Sequence, residues 1–356
     1  MSFLIFLLLS ITTDNIQLSS SPEKVGSVTL SDPLKIMDEE GYYESIHSTI
    51  SPNGSIIIYD TGNKLMFVYN SAGKLKHSFG KEGNGPGEFS RIFGLSANDN
   101  YIYVRGRGRK IMIFTHSGKL VREITSNITF SSTSILLKDR LRVLNLPSPH
   151  TKHLMIDFNL DGTLKLTKSN PTYNPKAKRE QRRFNPERMK ERFNAPRGLT
   201  STEDGFIRYY GGVYKLEKVD TQLTPTMVMS RPFVRIKETE DPEFLQRMKQ
   251  RMGSTPQGKK RMAQVVQIRD NLTEGYLSDI QSILGTESGY IFVQTASEKK
   301  TELSIDIISP THTFYDQIKL TGDEVLSATV INKKLIVNYS NENDGPYAMV
   351  YTIHIK

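Results

Sequence analysis

A unit of about 45 residues recurs along this chain, and a repeat of that length limits the possible folds more than any other feature. Ser51 to Asp60 and Ser96 to Arg105 each pass from a turn rich in Asn, Asp, Pro or Gly into an apolar β-branched or aromatic run, and they begin 45 residues apart. Lys64 to Tyr69 and Lys110 to Phe114 follow in step, as do Gly73 and Gly118 within the turns at 71–75 and 116–120. Each unit reads as strand, turn, strand, glycine-bearing hairpin turn, strand. A sheet so small cannot cover both its faces, so the units must stack on one another.

Weaker copies continue downstream. Leu141 to Asn145 with His153 to Phe158 and Gly162 make a third; Gly205 to Tyr210 with Tyr214 to Val219 make a fourth. Gly289 to Gln294 with Leu303 to Ile308, and Lys334 to Tyr339 with Tyr347 to Ile355, make the fifth and sixth. The last unit stops one strand short. The alternating, β-prone stretch Val25 to Leu30 is expected to supply that outer strand and close the ring, removing an open sheet edge.

Between the first two units runs Phe79 to Phe89, with Gly80, Gly83, Gly85 and Gly87 around Pro86. Glycines there suit left-handed backbone or close approach, and Pro86 stiffens the crossing. No Lys-Ser/Thr pair and no helical pattern follows, so this is not a phosphate-binding loop. The Gly-rich loop ending in an aromatic resembles the NHL-repeat family, most clearly over residues 48–125, within the TolB-like class of bacterial six-bladed propellers. The resemblance implies an all-β, six-bladed β-propeller of four-stranded antiparallel blades.

The chain has no Cys, which excludes disulfides, thiolate metal sites, a Cys nucleophile and a lipidated Cys. Phe3 to Ile11 is an apolar run of signal-peptide length and too short to span a bilayer. The expected organisation is a leader over 1–21 and a single propeller over 22–356, exported, monomeric, without a transmembrane helix and not a lipoprotein. Insertions at about 168–197 and 238–270 interrupt the repeat. Residues 174–197 carry nine basic against three acidic residues, and 244–269 carry seven against none, so outside them the chain nets about −4 although its total is +9. Asp241-Pro242 followed by Phe244, Leu245, Met248 and Met252 predicts a short helix in the second insertion, with another around Met262, Val265 and Val266.

Two kinds of candidate site emerge. The ends of successive second strands offer Asp60, Arg105, Asn145, Tyr210, Gln294 and Asn338, one per unit, which a ring would bring to its channel mouth. Asp60 also fits a bracing role in the turn that follows it. Arg182, Arg183, Arg188, Lys259, Lys260 and Arg261 in the insertions offer a basic surface for a protein, an acidic polysaccharide or another anionic surface. Nucleic acid is disfavoured, since no recognised binding module surrounds these residues. The closest histidine pair, His150 and His153, falls short of the three or four ligands zinc needs, so no metal or cofactor is expected. These features favour a non-catalytic binding propeller over an enzyme. The alternative is a metal-dependent hydrolase or lyase with calcium or zinc at the channel mouth.

Overall fold

The computed structural model describes residues 13–22, 26–37, 41–106, 110–125, 133–136, 139–144, 152–169, 174, 196–201, 205–220, 224–237 and 276–356, with single positions at 256, 263 and 267. Three short strands come first: β1 (Asp14–Gln17), β2 (Val28–Leu30) and β3 (Leu34–Ile36). Six antiparallel sheets follow. The first holds β4 (Ile46–Ile50), β5 (Ile56–Asp60), β6 (Leu65–Tyr69) and β7 (Leu75–Phe79); the second β8 (Ile92–Ala97), β9 (Tyr101–Gly106), β10 (Lys110–Thr115) and β11 (Leu120–Thr125). The third holds β12 (Thr133–Leu136), β13 (Arg140–Leu144), β14 (His153–Asn159) and β15 (Leu164–Ser169); the fourth β16 (Pro196–Ser201), β17 (Phe206–Tyr210), β18 (Lys215–Val219) and β19 (Pro225–Ser230). The fifth holds β20 (Ile280–Glu287), β21 (Tyr290–Thr295), β22 (Glu302–Ile308) and β23 (Phe314–Thr321); the sixth β24 (Glu324–Ile331), β25 (Lys334–Asn341) and β26 (Gly345–Ile355).

The first strands of successive sheets touch in a closed cycle, β4 to β8, β12, β16, β20, β24 and back to β4. They therefore line the axis, and the protein is a six-bladed β-propeller. The ring closes as its sequence predicts: Val28, Thr29 and Leu30 pair with Ile355, His354 and Ile353 on the outer edge of β26. The outer strand is longer than expected, because Leu34 to Ile36 pairs further along β26 with Val350 to Ala348. One extra residue separates the two registers, and Pro33, which has no N–H to donate, lies in that break.

Residues 14–18 fall in the segment expected to be a leader. Asp14–Gln17 lies parallel to β19 as a fifth strand on the fourth blade, and Leu18 is buried beside it. The N-terminal segment therefore reaches both the fourth and the sixth blade, with Val28 N–H donating to Asp316 of the fifth at 2.6 Å.

Alternation along the strands sends every second side chain toward one neighbouring blade. At the seam of blades one and two, Ile57, Met66, Phe89, Ile102, Val104 and Phe114 form an apolar cluster. Phe89, from the Gly-rich crossing loop, is completely buried, its ring edge-on to Tyr59 at 5.3 Å. Gly80 has φ +108° and its missing Cβ leaves room for the Phe89 ring, which explains the glycine. Burying one such phenylalanine stabilises the fold by about 1.5–3 kcal/mol. Comparable clusters fill the seams between blades two and three, four and five, five and six, and six and one.

The seam between blades three and four is different. Ile156 and Phe158 turn toward blade two, so Met155 and Asp157 turn toward blade four. There Arg142 makes a bidentate pair with Asp157, Nε to Oδ1 and Nη2 to Oδ2 both at 2.6 Å, and stacks on Phe206 of blade four at 5.6 Å. From blade four, Arg208 and Lys215 meet Glu217 at 2.7 and 2.9 Å, and the Tyr210 hydroxyl donates to it at 2.6 Å. Met155, Phe206 and Val219 are buried, yet among the described residues this seam has no apolar cluster.

Candidate functional site

The strand registers put the predicted channel-mouth residues on one face. Each stands at the end of a second strand, opposite the beginning of a first strand: Asp60 against Ile46, Arg105 against Gly94, Tyr210 against Pro196, Gln294 against Ser282 and Asn338 against Ser327. Asn145 lies outside the described residues, as do Arg182, Arg183, Arg188, Lys259, Lys260 and Arg261. Of the second insertion, Pro256, Ala263 and Gln267 are described, all helical and exposed.

Most of these mouth residues serve the fold. Asp60 is completely buried, and its carboxylate accepts from Gly62 N–H at 2.8 Å and Tyr43 N–H at 3.1 Å, bracing the turn after β5. Burial raises its pKa above the ordinary range despite those hydrogen bonds. Asn338 accepts from Ser48 at 2.8 Å and donates to Ser327 at 2.9 Å, joining the inner strands of blades one and six. Gln294 accepts from Ser282 at 2.8 Å. Tyr210 is held by Glu217, and burial together with that hydrogen bond pushes its phenol up to about 12.

Arg105 is arranged otherwise. Its Nη2 donates to the Phe93 carbonyl at 2.7 Å, while its Nε is buried without a hydrogen-bond partner. Among the described residues no carboxylate forms an ion pair with it, and burial alone lowers its pKa, although a guanidinium remains charged. Tyr103 and Ile111, which share its face of the blade, turn toward blade three, so Arg105 points into the seam between blades two and three. A cavity of about 220 Å³ opens there, lined by Phe93, Gly94, Leu95, Ser96, Tyr103, Arg105, Ile111 and Leu141.

The local sequence builds this pocket. A bulge in β8 between Ile92 and Gly94 sets Gly94 opposite Arg105, and a Cβ on Gly94 would come within 3.4 Å of the Arg105 Nε. The Arg91 and Arg105 guanidiniums lie 5.3 and 5.8 Å from the Phe93 ring centre. Burial, then the charge of Arg91, lowers the pKa of His47 on the neighbouring inner strand, keeping that imidazole neutral at pH 7. Sequence reasoning found Arg105 but missed the run Arg105-Gly-Arg-Gly-Arg-Lys110, which makes the sequence between β9 and β10 strongly basic. Lys110, at its far end, is paired with Glu123 at 3.3 Å.

Elsewhere on the ring, cations at the seams meet anions. Arg231 lies 3.2 Å from Asp306 and 4.1 Å over the Phe314 ring. Arg235 lies 3.5 Å from Asp279, whose other oxygen accepts from Tyr214 N–H at 2.9 Å. These pairs fasten the two ends of the second insertion to the seam of blades four and five, where Leu277 N–H also donates to the Ile236 carbonyl at 2.8 Å. Among the described residues, no three His, Cys, Asp or Glu side chains are grouped to hold a metal ion. A shallower groove of about 450 Å³ lies near the outer strands of blades two and three, lined in part by Arg122, Glu123, Phe158 and Leu164.

Comparisons with known proteins agree with this architecture. Residues 39–189 match a family model described as a six-bladed β-propeller, DUF5128. No curated protein matches the chain. A solved protein of Bacteroides fragilis described as exported is 14% identical, with a TM-score of 0.54 over 96% of this chain and 99% of that one. A DUF4221 family member from Bacteroides vulgatus is 11% identical, with a TM-score of 0.51 over 93% of this chain and 99% of its own. At these identities the likeness is one of fold, and the fold common to all of them is the propeller.

Proposed function

We propose that this protein is an exported, non-catalytic binding propeller that holds an anionic ligand or partner at the channel mouth, with Arg105 as the anchor. The observation that carries this reading is the half-buried Arg105, whose Nε is itself buried and unpartnered beside a cavity, with no carboxylate paired to the guanidinium among the described residues. A buried cation without a counter-charge is costly, and a bound anion removes that cost. The basic sequence 105–110 and the basic insertions at 174–197 and 244–269 would add a long-range field that draws anions to the molecule. Export is supported by the apolar run Phe3 to Ile11. The Bacteroides fragilis fold relative is likewise described as exported.

The test is thermal stabilisation of the purified protein by acetate, phosphate and galacturonate at low and at physiological ionic strength. At least one anion should raise the melting temperature in wild type, less so at higher salt, and Arg105→Gln should weaken its binding by about tenfold or more. Stabilisation that survives Arg105→Gln unchanged would overturn the assignment.

A further inference from the structure

We propose, on the footing of the anion-binding reading above, that the cavity between blades two and three takes a small monocarboxylate with a compact apolar body, carboxylate first. Arg105 can offer a new acceptor its Nε–H, the guanidinium nitrogen that is buried without a hydrogen-bond partner, while one Nη2 N–H is engaged by the Phe93 carbonyl. Gly94 leaves open the space over that Nε. An acceptor oxygen sits about 2.7–3.2 Å from its donor, so a Cβ at 3.4 Å from Nε would obstruct its place.

The remaining walls select what the carboxylate carries. Leu95, Ile111 and Leu141 are apolar, and Ile111 and Leu141 are almost completely buried. The Tyr103 hydroxyl is engaged by the Leu160 carbonyl at 2.9 Å and by Asn98 at 3.3 Å, leaving Ser96 as the other polar side chain of the lining. Among the described lining residues Arg105 is the one cation, so a second negative charge would enter this wall unmet, which disfavours a dianion. The volume of about 220 Å³ lies below the range of roughly 300–1,000 Å³ typical of drug-sized ligand sites, and suits a body about the size of one six-membered ring.

Isothermal titration of the full chain with benzoate, acetate and inorganic phosphate tests this. Benzoate should bind about tenfold or more tightly than acetate and more tightly than phosphate. Gly94→Ala should weaken benzoate about tenfold with little change in melting temperature, because it obstructs Nε while making only an ordinary contact. Leu141→Phe, which fills the apolar end, should abolish the preference for benzoate over acetate. Benzoate binding no tighter than acetate, or a preference unchanged in Leu141→Phe, would overturn the ligand class while leaving Arg105-dependent anion binding intact. If none of the three anions binds in an Arg105-dependent way, both readings fail.

Discussion

Two neighbouring seams of the ring treat an inward-pointing arginine in opposite ways. Between blades three and four, Arg142 is held by both oxygens of Asp157, and Arg208 meets Glu217. Between blades two and three, Arg105 has a carbonyl, an aromatic ring and a cavity, with no carboxylate paired to it among the described residues. The first arrangement is complete within the fold. The second lacks a negative charge that a ligand can supply. A charged residue at a propeller seam therefore points to function when its counter-charge is missing, not simply because it is buried.

Substitutions at the two arginines should pull apart. Arg142→Met removes the bidentate partner of the buried Asp157 carboxylate, leaving it only the longer Arg140 contact at 3.5 Å, and should cost about 3 kcal/mol in urea unfolding. Arg142→Met combined with Asp157→Leu should return stability to wild type or up to about 4 kcal/mol above it, since an apolar seam then replaces a buried pair. A double variant as unstable as the single one would show that the pair also fixes the geometry of blades three and four. Arg105→Met should instead raise stability by about 0.5–2 kcal/mol in the absence of ligand, because it removes a partly desolvated charge with no carboxylate paired to it among the described residues, and it should abolish anion binding. A loss of stability comparable to Arg142→Met would make Arg105 a structural residue.

The smallest expected effect is a pH dependence, and it separates the polar seam from the next one round. Burial pushes the Glu217 pKa up, but hydrogen bonds from Tyr210, Lys215 and Arg208 outweigh it and leave the pKa below the ordinary glutamate value. Its contribution to stability is thus present above that ordinary value and lost as pH falls through the lowered one. Melting temperature measured from pH 3 to 7 should show this acid loss in wild type and a flatter profile in Glu217→Gln. At the seam of blades four and five, burial of Asp306 outweighs the pull of Arg231 and raises its pKa. Its contribution has the opposite sign: it is present below the ordinary aspartate value and lost as pH rises through the raised one.

Much of the ring was legible in the sequence because the turn glycines keep step. Gly73, Gly118 and Gly162 occupy the same left-handed position of the same hairpin turn, with φ of +78°, +85° and +87°. In the fifth blade His312 holds that position at φ +60°, its N–H donating to the Ser309 carbonyl at 2.9 Å, so the turn persists where the glycine signal is gone. Ring closure could be anticipated because the last unit ends one strand short and an alternating stretch stands near the N-terminus. The second half of that outer strand, Leu34–Ile36, was hidden behind Pro33, which reads as a breaker and acts as a bulge.

The site was legible only by position. Counting along the repeats placed Arg105 at the end of a second strand, but pairing decides its meaning, and pairing partners come from distant strands. Arg142 and Asp157 are 15 residues apart and look like ordinary polar positions until β13 and β14 are set side by side. Arg231 and Asp306 belong to different blades. The glycine opposite Arg105 gave no signal either, since only the bulge in β8 brings Gly94 into register with it.

The most direct test is a crystal structure of the protein soaked with 4-bromobenzoate. Anomalous scattering should place the bromine against Leu141 and Ile111, with a carboxylate oxygen about 3 Å from the Arg105 Nε. Bromine bound elsewhere, or a cavity still without bromine at a concentration that saturates binding in solution, would contradict the account.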